Sequence, residues 1–332
     1  MKAIILLSGG LDSTLAAKMM LDLGVELVAF NTVSPFCLCA RHSSKGCFHS
    51  ASIISEKLGI RIVSCNTGEE FLEIVRNPRH GYGSHINPCI DCRILLFRKA
   101  KELMACEQAA FIVTGEVLGQ RPMSQHKRAM RLIDEESGLS GYVVRPLSAN
   151  ILEASIPEER GWVPREKLLA ISGRGRRAQM QMAQEYGIND YPCPAGGCLL
   201  TDPAYSKRVR DLLEHNELTT VNVRLLRVGR HFRLNRGLKL VVGRDEKENE
   251  QLLKLANPDD YLLQPVDIAG PVALARGVAE AVSLRFAASL LAGYCDGDAQ
   301  IVKIASGKSG GAAELLEIPR ISPAADAAKY RI

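Results

Sequence analysis

Residues 8–13, Ser8-Gly9-Gly10-Leu11-Asp12-Ser13, lie between an apolar run at 3–7 and a helix-like segment at 14–23. An order of strand, glycine turn and helix start leaves few folds open. Two glycines let successive backbone N–H groups turn inward without a Cβ clash, Ser8 and Ser13 add hydroxyl donors, and the helix start adds partial positive charge. The expected ligand is a phosphate chain. A carboxylate at Asp12 repels a bare phosphate, so its expected task is to hold a Mg²⁺ that bridges to the phosphates. The loop points to nucleotide chemistry rather than to passive anion binding.

Strand-like apolar runs at 3–7, 26–30, 60–63, 111–114 and 142–144 alternate with helical patterns, the signature of a parallel sheet covered on both faces. Ligands of such sheets sit beyond the carboxyl ends of the strands. Asn31 and the pair Thr114-Gly115 end strands of this set, so they are expected to converge with the glycine loop on one nucleotide. Helices are expected at 164–170 and 174–186, and the turn-rich block at 190–203 closes a first α/β domain over residues 1–200. Strands at 221–228, 238–242, 261–263 and 299–304 with helices at 246–256 and 275–291 predict a smaller α+β domain over 201–305. Few order signals follow, and 306–332 is expected to be a poorly ordered tail. Gly307-Lys308-Ser309 imitates the end of a Walker A loop, but the position that needs the first glycine is Val302.

With 332 residues, 46% hydrophobic and 24% charged, the chain can bury two cores. No segment reaches the roughly 20 apolar residues that span a bilayer, and the first residues enter a strand rather than a leader, so a cytoplasmic location away from membranes is expected. Ten cysteines in that setting speak for metal or sulfur chemistry. Cys89 and Cys92 form a C-x-x-C ahead of an amphipathic helix, where a helix start lowers thiol pKa. Cys193 and Cys198 flank Pro194-Ala195-Gly196-Gly197. Three arrangements are open: a zinc site of all four thiolates, a redox pair carrying a persulfide, or an iron–sulfur cluster on three cysteines that leaves one iron able to carry an extra sulfide. Cys37, Cys39, Cys47 and His49 share one loop, with zinc binding and a cysteine-rich flap over the site as its two readings.

The net charge of +5 is modest, but its distribution is not. Arg174, Arg176 and Arg177, then Lys207, Arg208 and Arg210, then Arg224, Arg227, Arg230, Arg233 and Arg236 crowd one stretch, which suits a polyanionic partner.

The chain resembles the PP-loop ATP pyrophosphatases, and among them the tRNA thiouridine synthases, nearest the 4-thiouridine synthases and then the tRNA 2-thiouridylases. The resemblance rests on residues 8–13, on Ser34-Pro35-Phe36, on Thr114-Gly115-Glu116-Val117-Leu118-Gly119-Gln120 with Ser124-Gln125, and on Arg145-Pro146-Leu147. It implies that Ser8, Gly9, Gly10, Leu11, Asp12, Ser13, Asn31, Arg93, Gly115 and Gln125 bind ATP. It also implies that Cys92 is the catalytic cysteine with Cys198 as its distant partner. Cys89 beside Cys92 is the pattern of cluster-dependent thiolases, implying a 4Fe-4S cluster on Cys89, Cys92 and Cys198. The 4-thiouridine synthases usually place an RNA-binding THUMP region before the loop, whereas here the first strand comes first. Leu240-Val241-Val242-Gly243-Arg244 followed by Glu248-Asn249-Glu250 resembles an NFACT-type RNA-binding region, which would take over that contact. The expected activity is ATP-dependent thiolation of a tRNA uridine through an adenylated base. Sulfur would come from a cysteine desulfurase or free sulfide, and Arg174, Arg176, Arg177, Arg227, Arg230 and Arg233 would hold the tRNA. The alternatives are sulfur transfer to a small molecule or protein, and a non-enzymatic RNA- or metal-binding protein.

Overall fold

The computed structural model describes residues 1–37, 46–188, 197–321 and 327–332, with the backbone alone at 46–48. The chain divides into two compact units, Met1–Thr201 and Asp202–Ile332.

In the first unit, β1 (Lys2–Leu6), α1 (Leu11–Asp22), β2 (Glu26–Val33), α2 (Gly46–Leu58), β3 (Arg61–Asn66), α3 (Gly68–Arg76), α4 (Cys89–Cys106), β4 (Phe111–Thr114), α5 (Lys127–Glu136) and β5 (Val143–Val144) build a sheet of order β3-β2-β1-β4-β5. Every pairing is parallel. The apolar runs at the sheet centre are buried on both faces because helices cover both. On one side Ala16, Ala17 and Met20 of α1 and Ile54 of α2 meet Ile5, Ala29 and Val113. On the other, Ile94, Phe97 and Ala100 of α4 and Ile133 of α5 meet Ile4, Leu6 and Ile112. The strand order reverses between β1 and β4, which opens a crevice beyond their carboxyl ends. The short α6 (Ile156–Glu159) and α7 (Arg177–Glu185) follow. Ala183 and Met182 of α7 pack on Leu11, Leu15 and Met19, which is why α1 is apolar nearly all round. The helix expected at 164–170 is only a 3₁₀ turn, Arg165–Lys167, because residues 169 and 171 instead bond to the chain at 146 and 147.

The second unit comprises α8 (Pro203–Glu214), α9 (Thr220–Leu225), β6 (Arg230–Asn235), β7 (Leu238–Val242), α10 (Glu246–Leu255), β8 (Tyr261–Pro265), β9 (Ala273–Gly277), α11 (Ala281–Ala292), β10 (Ile301–Lys308) and β11 (Ala313–Pro319). Its antiparallel sheet has the order β11-β10-β8-β9-β7-β6, with α11 on one face and α9 and α10 on the other. Three expectations are corrected here. The strand expected at 221–228 is a helix, started by Thr219, whose hydroxyl accepts from the Asn222 N–H. The helix expected over 275–291 begins only at Ala281, because residues 273–277 pair with β7 and 273–275 also with β8. The tail from 306 is not disordered where it is described: β10 runs to Lys308 and turns through Gly310 into β11, seven residues in register. No helix among the described residues is long and apolar enough to cross a membrane.

Candidate active site

The loop after β1 is tied by its own hydroxyls. Ser13 Oγ donates to the Gly10 carbonyl at 2.9 Å and lies 3.1 Å from Ser8 Oγ, while the Gly10 N–H points at Ser8 Oγ at 3.3 Å. The two glycines do different work. Gly9 has φ +75° and sits on the α2 backbone, where a Cβ would come within 2.7 Å of Ser50 C. A Cβ on Gly10 would meet only Ser8 Oγ, at 3.4 Å, so the space beside the N-cap of α1 is left to a ligand. Leu11 contributes only backbone here, its side chain being core. Gly115 is glycine because it presses on the loop itself: a Cβ there would lie 2.5 Å from Asp12 C and Ser13 N.

Asp12 Oδ2 accepts from Gln120 Nε2 at 3.0 Å and lies 3.9 Å from Arg176 Nη2, while its Oδ1 is buried without a partner. The unpartnered oxygen fits a divalent cation, for which Asp12 would be a ligand. Asn31 donates to the Leu7 carbonyl at 2.7 Å with its own Oδ1 orphaned, bracing the end of β1.

Beyond β4, Glu116 is buried and accepts from Arg93 Nη2 at 2.6 Å and Arg145 Nε at 3.0 Å. Arg145 in turn binds Asp134 through two 2.8 Å bonds. Burial opposes the charge on Glu116, but the two arginines outweigh it and hold the carboxyl below its usual range. Arg93 is thus anchored from behind, stacked over Phe97, with its Nε buried and unpartnered. Gln125 takes the Arg121 N–H on its Oε1 at 3.0 Å and so shapes the loop that carries Gln120.

The cysteines gather from three segments. Cys89 opens α4 and Cys92 follows within its first turn. Cys198 is brought in by a backbone bridge to Cys37 and by the Leu199 N–H bonding to Phe36 O at 2.8 Å. The Cys89 thiol donates to Ser124 Oγ at 3.4 Å. The lowered thiol pKa expected at this helix start does not hold for Cys92. Burial first, then the neighbouring Cys198 and Cys89, pushes Cys92 up to about 12. Cys198 rises to about 11, chiefly through burial. Among the described residues, no group of three or more His, Cys, Asp or Glu is arranged to hold a single metal ion. Cys193 and Cys39 lie outside the described residues, as does the side chain of Cys47. Cys37 is disulfide-bonded, so in this state it offers no thiolate to zinc, and His49 is exposed.

The arginines expected to grip RNA part company. Arg176 instead approaches the glycine loop, 3.9 Å from Asp12. Arg233 is spent inside the second unit, its guanidinium bound to both oxygens of Asp211 and of Glu217 at 2.7–3.0 Å. Arg174 and Arg177 are exposed, and Arg227 is half-buried. Arg230 lies over the Tyr294 ring and lines a cavity of about 530 Å³ with Arg244, Asn249 and Gln264. Gln120 and the buried Gln179 were not legible as site residues. Gln120 stands in the motif at 114–120, but its bond to Asp12, like the burial of Gln179, depends on contacts that no local pattern encodes.

Residues 1–151 match the family model described as "Thiamine biosynthesis protein (ThiI)", and residues 229–331 match "NFACT protein RNA binding domain". A "Probable tRNA sulfurtransferase" of Methanosarcina mazei is 29% identical over 127 residues, covering 36% of this chain and 29% of the relative. The chain thus spans under a third of that relative's length. Among solved structures, a 4-thiouridine synthetase–RNA complex with bound ATP is similar at 22% identity and TM-score 0.40, covering 68% of this chain and 52% of that one. The U34-tRNA thiolase NcsA of Methanococcus maripaludis with its [4Fe-4S] cluster is similar at 14% identity and TM-score 0.34, covering 68% and 71%. The chain therefore combines a ThiI-type PP-loop domain at its N-terminus with an NFACT-type RNA-binding region at its C-terminus.

Proposed function

We propose that the protein is an ATP-dependent tRNA sulfurtransferase that adenylates a uridine carbonyl oxygen and replaces it with sulfur. One observation carries the reading. A single stretch, 114–125, touches both halves of the chemistry: Gln120 holds the phosphate-loop carboxylate, and Ser124 takes the thiol of the C-x-x-C. ATP would lie on the Gly10 N-cap with Asp12 holding Mg²⁺, Gly115 closing the loop from below, and Arg93, Asn31 and Gln125 around it. The protein's share is positioning and stabilisation of charge at the phosphates.

Cys92 and Cys198 are the groups proposed to handle sulfur, with Cys89 beside them. Thiols raised by burial and by neighbouring thiols, as Cys92 and Cys198 are, are poor nucleophiles unless a positive centre offsets their charge, which favours a 4Fe-4S cluster on Cys89, Cys92 and Cys198 over a bare persulfide. When bound, such a cluster supplies that charge and an iron able to carry sulfide. The sulfur source is proposed to be a desulfurase or free sulfide and the location cytoplasmic, with tRNA held by exposed Arg174 and Arg177 and, in the second unit, by Arg227 and Arg230.

The test is nucleoside mass spectrometry and AMP release with tRNA, ATP and sulfide. Wild-type protein prepared without air should carry about four irons, release AMP only with tRNA, and yield thiouridine. Asp12→Asn should keep the fold and lose both products. Thiouridine made at the wild-type rate by Asp12→Asn would remove the loop from the reaction.

A further inference from the structure

The start of α7 lies against the phosphate loop. At one end of the helix Arg176 approaches Asp12; at the other, Tyr186 lies under Lys18 of α1, 5.5 Å from ring centroid to Nζ. The two helices therefore run parallel, with their N-termini on the same side. Loop pairing fixes this arrangement. Leu118 bridges to Ser172, the Gly173 N–H bonds to Leu118 O at 2.7 Å, and Ser148 Oγ joins the Leu118 N–H to Ile171 O.

The polar groups brought together are poorly satisfied. Arg176 is mostly buried, yet it stands 3.9 Å from Asp12, beyond hydrogen-bond reach, and its Nη1 is buried with no partner. Asp12 Oδ1 is likewise orphaned. One turn along, on the face of α7 that meets α1, Gln179 is wholly buried with neither amide atom bonded. Buried polar atoms left unpaired are costly, and the two donors among these, Arg176 Nη1 and Gln179 Nε2, suit an anion near the two helix N-termini, while Asp12 Oδ1 suits a cation.

We infer that Arg176 binds the pyrophosphate end of ATP, with Gln179 lining the same recess. This rests on the ATP-dependent reading above. Without ATP, Asp12 keeps the guanidinium near. When a divalent cation takes that carboxylate, the guanidinium turns to oxygens of the β- and γ-phosphates. In adenylation the uridine oxygen forms a bond to the α-phosphorus, and the bond from that phosphorus to the bridging oxygen breaks. The bond's electron pair leaves on pyrophosphate, and the base gives its N3 proton to solvent. Arg176 sits on the leaving group, where negative charge grows.

Titration calorimetry of the full chain with MgATP, magnesium pyrophosphate and AMP, together with tRNA binding at one salt concentration, tests this. Arg176→Gln should weaken MgATP and pyrophosphate about ten- to a hundredfold, the scale of a lost charge-assisted hydrogen bond. AMP and tRNA affinities should stay within about twofold, and Arg176→Lys should recover part of the loss. Exposed Arg128→Gln is the control and should leave both MgATP and tRNA binding untouched. Unchanged MgATP affinity in Arg176→Gln overturns the inference, as does a loss shared equally by AMP. A fall in tRNA affinity with MgATP intact makes Arg176 an RNA contact instead. A wild-type chain that binds neither nucleotide fails earlier, at the ATP-dependent reading itself.

Discussion

Gly9 and Gly10 are neighbours with opposite tolerances, and the difference separates folding from binding. An alanine at Gly9 must adopt φ near +75° and push its Cβ into the backbone of α2, so Gly9→Ala is expected to cost at least about 2 kcal/mol in urea denaturation. Gly10→Ala meets nothing but the Ser8 hydroxyl, and its stability should stay within about 0.5 kcal/mol of wild type. The methyl would stand in the space proposed for phosphate, so MgATP affinity should fall about tenfold or more. A Gly10→Ala protein that binds MgATP normally would put the phosphates elsewhere. Glu116 makes the complementary point. It sits in the motif that marks this loop, yet it spends its charge on Arg93 and Arg145 rather than facing the crevice.

Among the elements, the first turn of α4 sets two influences against each other. The helix start favours a thiolate, but burial of Cys92 and its companion thiols wins. With burial pushing Cys92 up to about 12 without metal, very little of it is thiolate at pH 8, so iodoacetamide should modify it far more slowly than exposed Cys106, read by peptide mass spectrometry. The raised pKa means that the fold favours the neutral thiol. Its contribution to stability is full below the ordinary value of 9.0 and is lost as pH rises through about 12. Rapid alkylation of Cys92 at pH 8 in metal-free protein would contradict this burial. The same contrast explains what could be read from sequence. The five parallel strands and the glycine turn between β1 and α1 were legible because an apolar run, a glycine pair and a helix start are local signals. The helix at Thr220 and the strand at Ala273 were not. A β-branched run was recruited into a helix by the Thr219 cap, and an alanine-rich one into a sheet by partners on both sides. Arg176 was read as part of a basic cluster, since only the pairing of residues 118 and 172 brings it to Asp12.

The molecule as a whole divides into a unit that matches the ThiI model over residues 1–151 and one that matches an RNA-binding family. A chain ending at Thr201 is expected to keep MgATP affinity and to lose most of the steep salt dependence of tRNA binding, since each phosphate contact contributes about one unit to the logarithmic slope. Equal slopes for the two proteins in filter binding would assign recognition to the first unit. The route by which Cys198 reaches the other thiols also has a consequence for synthesis on the ribosome. It follows Cys92 by more than a hundred residues and docks against the turn after β2. At roughly 5–20 residues per second, Cys89 and Cys92 emerge several seconds before their third companion. During that interval a nascent chain presents two thiols and no enclosure, so the iron or sulfur proposed for the full trio would have to arrive after translation has passed Cys198.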